Sequence, residues 1–278
     1  MIQNIIFSIA KKEIMDNIRN KWIIVMSISF AVLTLLVSYA GSIGSGGWQD
    51  LSGTVEGMSV LVNYFLTIIA LMLSYSAIIG EIERGSMSAL ISLPVKRLEI
   101  ILGKFLGLGA VLTFTILVGF GVAGIVIGTM VPNVDYWRYL LFIGATVLVG
   151  LVFLSIGMLL SCLLKKRSTA MGSAIFVFFL FTIIWGLILA ALLIVTGNIQ
   201  FSSDPNVAPV LKNPDWQYAM NFLNPLSAYG GIIKFNVLSS TDATYPAFYN
   251  SVNVFIALLI WLFAPLIVAY WAFKNKDI

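Results

Sequence analysis

The chain has 278 residues, of which 60% are hydrophobic and only 10% charged, with a formal net charge of +4. A soluble domain carries about a quarter of its residues as Asp, Glu, Lys and Arg, so a single water-facing globule is excluded and a bilayer is the solvent that suits this surface. Histidine is absent and Cys162 is the lone cysteine, which removes the commonest metal ligand, the commonest neutral-pH general base and any disulfide framework; neither a metal site nor a catalytic residue is expected.

The first segment, residues 1–21, places Phe7, Ala10, Ile14 and Ile18 at helical spacing beside Lys11, Lys12, Asp16 and Arg19, with Ile2, Ile5, Ile6 and Ile9 broadening the apolar face. This predicts an amphipathic helix lying in the membrane interface, with a plain basic anchor as the alternative. Charges precede the first apolar run without a small-residue cleavage site, so the start reads as uncleaved.

Six apolar runs follow: Trp22 to Ile43, Met58 to Ile79, Phe105 to Val131, Tyr139 to Leu164, Thr169 to Thr196 and Val252 to Phe273. Each has the roughly 20 residues that a helix needs to cross the hydrocarbon, and none contains Asp, Glu, Lys or Arg. With no water at that depth, the backbone must satisfy itself within a helix. The expected fold is therefore an all-α polytopic membrane protein with six transmembrane helices in one domain.

Lys and Arg set the orientation, because basic loops stay cytoplasmic. With six spans, Lys11, Lys12, Arg19, Lys21, Arg84, Lys96, Arg97, Lys104, Lys165, Lys166, Arg167, Lys274 and Lys276 share one side, against Arg138, Lys212 and Lys234 on the other. Both termini are expected in the cytoplasm, in a multi-pass cell-membrane protein. The tract 197–251 is then a large external loop rich in Pro, Tyr and Trp, where Pro225 to Leu238 reads as a short helix at the outer leaflet or as ordered loop.

Gly119, Gly121 and Gly124 match the letters of a dinucleotide fingerprint, but no strand precedes them and no acid follows at the right distance. Gly103 with Gly107, and Gly124 with Gly128, have instead the spacing that lets membrane helices approach closely. No phosphate-binding loop is present: Gly103-Lys104 runs into Phe105 and lacks the upstream glycine. The spans also lack the buried carboxylates of a self-powered carrier, so work on a solute must come from another subunit.

The most distinctive stretch is 80–104, between the second and third spans. Charges bracket a short apolar helix, with Glu81, Glu83 and Arg84 beside it, in which Ser86 can cap and Met87, Leu90 and Ile91 share a face; Pro94 disfavours helix at Leu93. Physically this is either a knob that docks in a partner's groove or a turn held by lipid headgroups.

Here the chain resembles the type-2 permease family of ATP-binding-cassette (ABC) transporters. That family's loop reads Glu-x-Glu-x-Gly, then Leu-x-x-x-Pro-Val, a basic residue and Leu-Gly-Lys; Glu81, Glu83, Gly85, Leu90, Pro94, Val95, Arg97, Leu102, Gly103 and Lys104 occupy those places. The likeness extends to Lys12 and Glu13, the Lys165-Lys166-Arg167 turn, and Asn224 with Pro225. It implies a permease half that pairs with a second permease, identical or paralogous, and with separate cytoplasmic ABC ATPase subunits that carry the ATP and Mg. It implies no cofactor in this chain and no nucleic-acid partner. The loop, with Glu81, Glu83, Arg84, Gly85, Met87, Leu90, Ile91 and Pro94, is implied to be the coupling helix that seats in the ATPase, driving outward movement of a substrate by alternating access. One branch of the family acts on an extracytoplasmic partner, and the resemblance leaves that role open.

Three other readings compete. A secondary carrier or channel lacks ionisable groups in its spans. A lipid-modifying enzyme would have only Asp204, Asp215 and Asp242 as external acids, without a His or Cys partner. A non-transporting membrane subunit would keep the same fold.

Overall fold

The computed structural model describes residues 2–19, 21–42, 51–87, 94–130, 135–200, 210–211, 213–238 and 245–276. Leu90 and Ile91 of the expected coupling helix lie outside the described residues.

Five helices are long and apolar enough to cross a bilayer: Ser52–Glu83, Arg97–Thr129, Tyr136–Leu163, Arg167–Val195 and Ser251–Lys274. Helix Lys21–Ser42, with its shorter apolar stretch Ile28–Val37, precedes them at the place of the first expected span, and the spans are numbered from it. The N-terminal helix, Ile2–Arg19, packs chiefly along the third span. Among the described residues the fold is thus all-α, five long apolar helices with a shorter apolar one before them, save for a two-residue antiparallel ladder that pairs Ile199 with Leu211 and Gln200 with Val210.

Two spans extend beyond their apolar windows. The second begins at Ser52, adding an exposed Glu56, and runs through Glu81 and Glu83. The third begins at Arg97 and takes in Glu99 and Lys104. The charge-free runs expected from the sequence are thus the middles of longer helices, with charged residues at both ends of the second span and at the start of the third. The early start of the third span has a local cause: the Lys96 backbone N–H donates to Glu99 Oε2 at 2.8 Å, the reach-back half of a capping box, which satisfies an amide the new helix would leave open.

The fourth span lies at the centre, against the second, third and sixth. Its start is capped by Asp135, whose carboxylate accepts from the amides of Trp137 and Arg138. Where the second span breaks between Ser74 and Ile79, the freed amides of Ile78 and Ile79 both donate to Ser161 Oγ of the fourth span, at 2.9 and 3.0 Å. A buried backbone donor needs a partner, and this hydroxyl serves two.

The fifth span is the opposite case. Only 6% of its most apolar window is buried, and Met171, Phe176, Phe179, Ile183 and Leu187 face outward. It is wound as a π-helix over Leu180–Ile184, where the Phe181 carbonyl accepts from Asn224 Nδ2 at 2.9 Å. Asn224 also caps the helix Pro225–Ile232 through Leu226 N–H at 2.8 Å. That helix continues as a π turn, Ile233–Leu238, and is buried against the fourth and sixth spans, with Tyr229 hydrogen-bonded to Thr146 at 3.1 Å. The rings of Tyr218, Phe222, Phe235, Tyr245 and Tyr249 cluster beside it, with centroids 5.1–5.7 Å apart in the closest pairs.

Candidate coupling site at the basic end of the bundle

At the end of the bundle that carries most of the lysines and arginines, residues of the 80–104 segment reach the N-terminal helix and the third, fifth and sixth spans. The centre is Lys104. Its side chain is 2% exposed, and its ammonium lies 2.5 Å from Glu13 Oε1 and 2.8 Å from Glu81 Oε1. Lys12 adds a weaker contact to Glu81 at 3.7 Å. A buried ammonium is tolerated only when paired, and here the carboxylates come from two other elements, the N-terminal helix and the end of the second span.

Two glycines make that geometry. A Cβ on Gly103 would lie 2.7 Å from Ile9 Cβ, and one on Gly107 would lie 2.6 Å from Glu13 Cβ and 2.8 Å from the Ala10 carbonyl oxygen. Being one turn apart, they let the N-terminal helix lie flat on the third span and bring Glu13 to Lys104. Gly124 and Gly128, further along, make room for Tyr139 and Tyr136: a Cβ would lie 2.6 Å from the first ring and 3.0 Å from the second hydroxyl.

The other charges of the segment close helix ends. Glu83 Oε1 accepts the backbone N–H of Arg167 at 2.7 Å, placing a negative charge at the start of the fifth span, where the helix dipole favours it. Arg97 donates to the carbonyls of Phe273, Lys274 and Lys276 at 2.5, 2.8 and 2.9 Å, a cation at the end of the sixth span, and its guanidinium stacks 5.5 Å from the Phe273 ring. Lys276 in turn donates to the carbonyls of Cys162 and Leu164 at 3.0 and 2.6 Å, closing the fourth span. Burial there holds its ammonium below the usual lysine range.

Of the remaining expected site residues, Arg84 and Pro94 are exposed; Arg84 Nε donates to the Gly80 carbonyl at 2.9 Å. Gly85 turns the chain at φ +74° with open space around its Cα, a conformation that glycine adopts without penalty. Ser86 donates to the Glu81 carbonyl at 3.3 Å, so it finishes the second span as it opens the next turn. Met87 is fully buried in this chain's own core, and Glu81 points inward to Lys104; neither presents itself to a partner in the isolated chain. Sequence reasoning placed Lys104 and Arg97 in the loop motif without giving either a partner, and counted Lys276 only as a basic flank. The signal available was a lysine set between Gly103 and Gly107, whose missing side chains leave it to a neighbouring helix.

Among the described residues no group of three acidic, His or Cys side chains could hold a metal. The arrangement is built to bind helices together, and the segment that binds them is the one between the second and third spans. A family model, that of the ABC-2 family transporter proteins, matches residues 7–278. The chain belongs to the ABC-2 transporter family. Two relatives, each described as "Probable ABC transporter permease protein NosY", are similar over their whole length. That of Stutzerimonas stutzeri is 33% identical over 98% of this chain and 99% of the relative. That of Pseudomonas aeruginosa is 32% identical over 99% of both.

Proposed function

We propose that this chain is the permease half of an ATP-driven exporter. Separate ABC ATPase subunits, which carry the ATP and Mg, seat on the 80–104 segment at the cytoplasmic face, and a second permease half, identical or paralogous, completes the pathway. The observation that carries the reading is the wiring of that segment: through Glu81, Glu83, Arg97 and Lys104 it ties the end of the second span and the start of the third to the N-terminal helix, to the start of the fifth span and to the end of the sixth. A push on it reaches most of the bundle at once. In this reading the push switches the bundle between discrete arrangements that open to alternate sides and release substrate outward.

The surface of the fifth span supports the second half. It is the least buried of the five long spans and offers aromatic and branched side chains along its length. In a bilayer, helices pair by packing rather than by escape from water, and Gly172 and Gly186 leave open space there for close approach.

Affinity purification of the tagged chain from its native membrane tests the assignment. An ATP-binding subunit co-purifies, and Arg84→Glu, at an exposed position, weakens its retention by about tenfold, equivalent to about 1.4 kcal/mol, without lowering the melting temperature of the permease. Recovery of the native chain free of any ATP-binding protein would sink the proposal.

A further inference from the structure

Lys104 is almost wholly buried and shared between Glu13 and Glu81. Beside it is a cavity of about 370 Å³ lined by Asp16, Asn17, Ser76 and Arg84 among others. So much buried charge is not needed for stability, since replacing a buried ionic group as a whole with neutral side chains of similar volume is often neutral or stabilising. What an ionic triad supplies is a constraint: removing one partner leaves a charge buried and unpaired, so the elements that bear the three groups stay together. Gly103 and Gly107 add an independent sign, because an added side chain at either would collide with the N-terminal helix that brings Glu13 over the ammonium.

We propose that Lys104 is a positioning residue for coupling: it locks the N-terminal helix to the end of the second span, so that this helix is carried along when the 80–104 segment is displaced. The inference rests on the permease reading. The N-terminal helix is then a working part and not a passive anchor. Its exposed apolar side chains, Phe7, Met15 and Ile18, sweep the interface as the bundle switches.

The test uses the full chain with its ATPase subunit in lipid nanodiscs, with Cys162→Ala and pairs of spin labels. One pair reports the N-terminal helix against the fourth span (Lys11→Cys with Leu163→Cys), and the other reports the segment against the same reference (Ser86→Cys with Leu163→Cys). ATP with vanadate shifts both distances in the otherwise native protein. Lys104→Met alone strands two carboxylates and threatens folding, so the decisive variant removes the whole triad: Glu13→Gln, Glu81→Gln and Lys104→Met together. It keeps its melting temperature and the nucleotide-dependent shift at Ser86, and it loses the shift at Lys11. A triple variant in which Lys11 still shifts as in the native protein would overturn the proposal. If the native complex shows no shift at either pair, the permease reading falls and the proposal with it, an outcome told apart by occurring before any triad residue is changed.

Discussion

Glu83 and Arg167 join the second span to the fifth: the Glu83 carboxylate accepts the Arg167 backbone N–H at 2.7 Å, across 84 residues of sequence. The first turn of the fifth span therefore owes its cap to a side chain of the segment proposed to take force from the ATPase. Glu83→Ala removes that cap and costs about 1 kcal/mol, read as a lower melting temperature in detergent. Glu83→Gln, which keeps a neutral acceptor, loses less. Equal effects of the two substitutions would argue against a cap.

Arg97 is a clamp on the C-terminal end of the sixth span. Arg97→Ala leaves three carbonyls without their charged donor and costs about 1–2 kcal/mol, below the full range for hydrogen bonds to charged groups because the site is only part-buried. Trypsin cleavage at Lys274 and Lys276 accelerates as the tail is released. Arg97→Lys, with a single point charge in place of the planar fork, restores only part of the protection.

The glycines of the third span differ in what a methyl group would meet. Gly107→Ala drives a Cβ onto Glu13 and the Ala10 backbone and costs about 1–3 kcal/mol by overpacking. Gly121→Ala meets nothing within 4 Å and is neutral or slightly stabilising through helix propensity. Thermal denaturation of the two variants side by side separates close packing from a general intolerance of glycine replacement.

Hydropathy made the membrane helices readable in the sequence, because every residue in a lipid-facing helix is answerable to the same solvent. It also misplaced where the second and third spans begin. Lys104 looked like a flank of the third span because a hydropathy window treats any lysine as an end. Its burial depends on Glu13 and Glu81, which lie 91 and 23 residues away, and one sequence does not state pairings across such distances. The same holds for Glu81, read as facing a partner and found turned inward, and for Met87, whose apolar side chain belongs to this chain's own core. A short helix over Pro225 to Leu238 was one of two readings of the aromatic-rich tract 197–251, whereas the acceptor that Phe181 offers to Asn224 depends on a π-helical winding that no residue pattern announced.

Orientation is checked by thiol labelling in the Cys162→Ala background. Phe248→Cys, in the tract expected to be external, reacts with a membrane-impermeant maleimide on intact cells, and Ser86→Cys reacts only after permeabilisation. The reverse pattern would invert the assignment of both termini to the cytoplasm.

The central claim is that force enters this chain from an ATP-binding partner through the segment after the second span. A photo-reactive benzophenone amino acid at Ser86, with Phe248 as control, tests it in the native membrane. The account predicts an adduct between the chain and an ATP-binding subunit from position 86 and none from position 248. No such adduct from position 86, together with energy-dependent transport by the purified polypeptide alone, would contradict it.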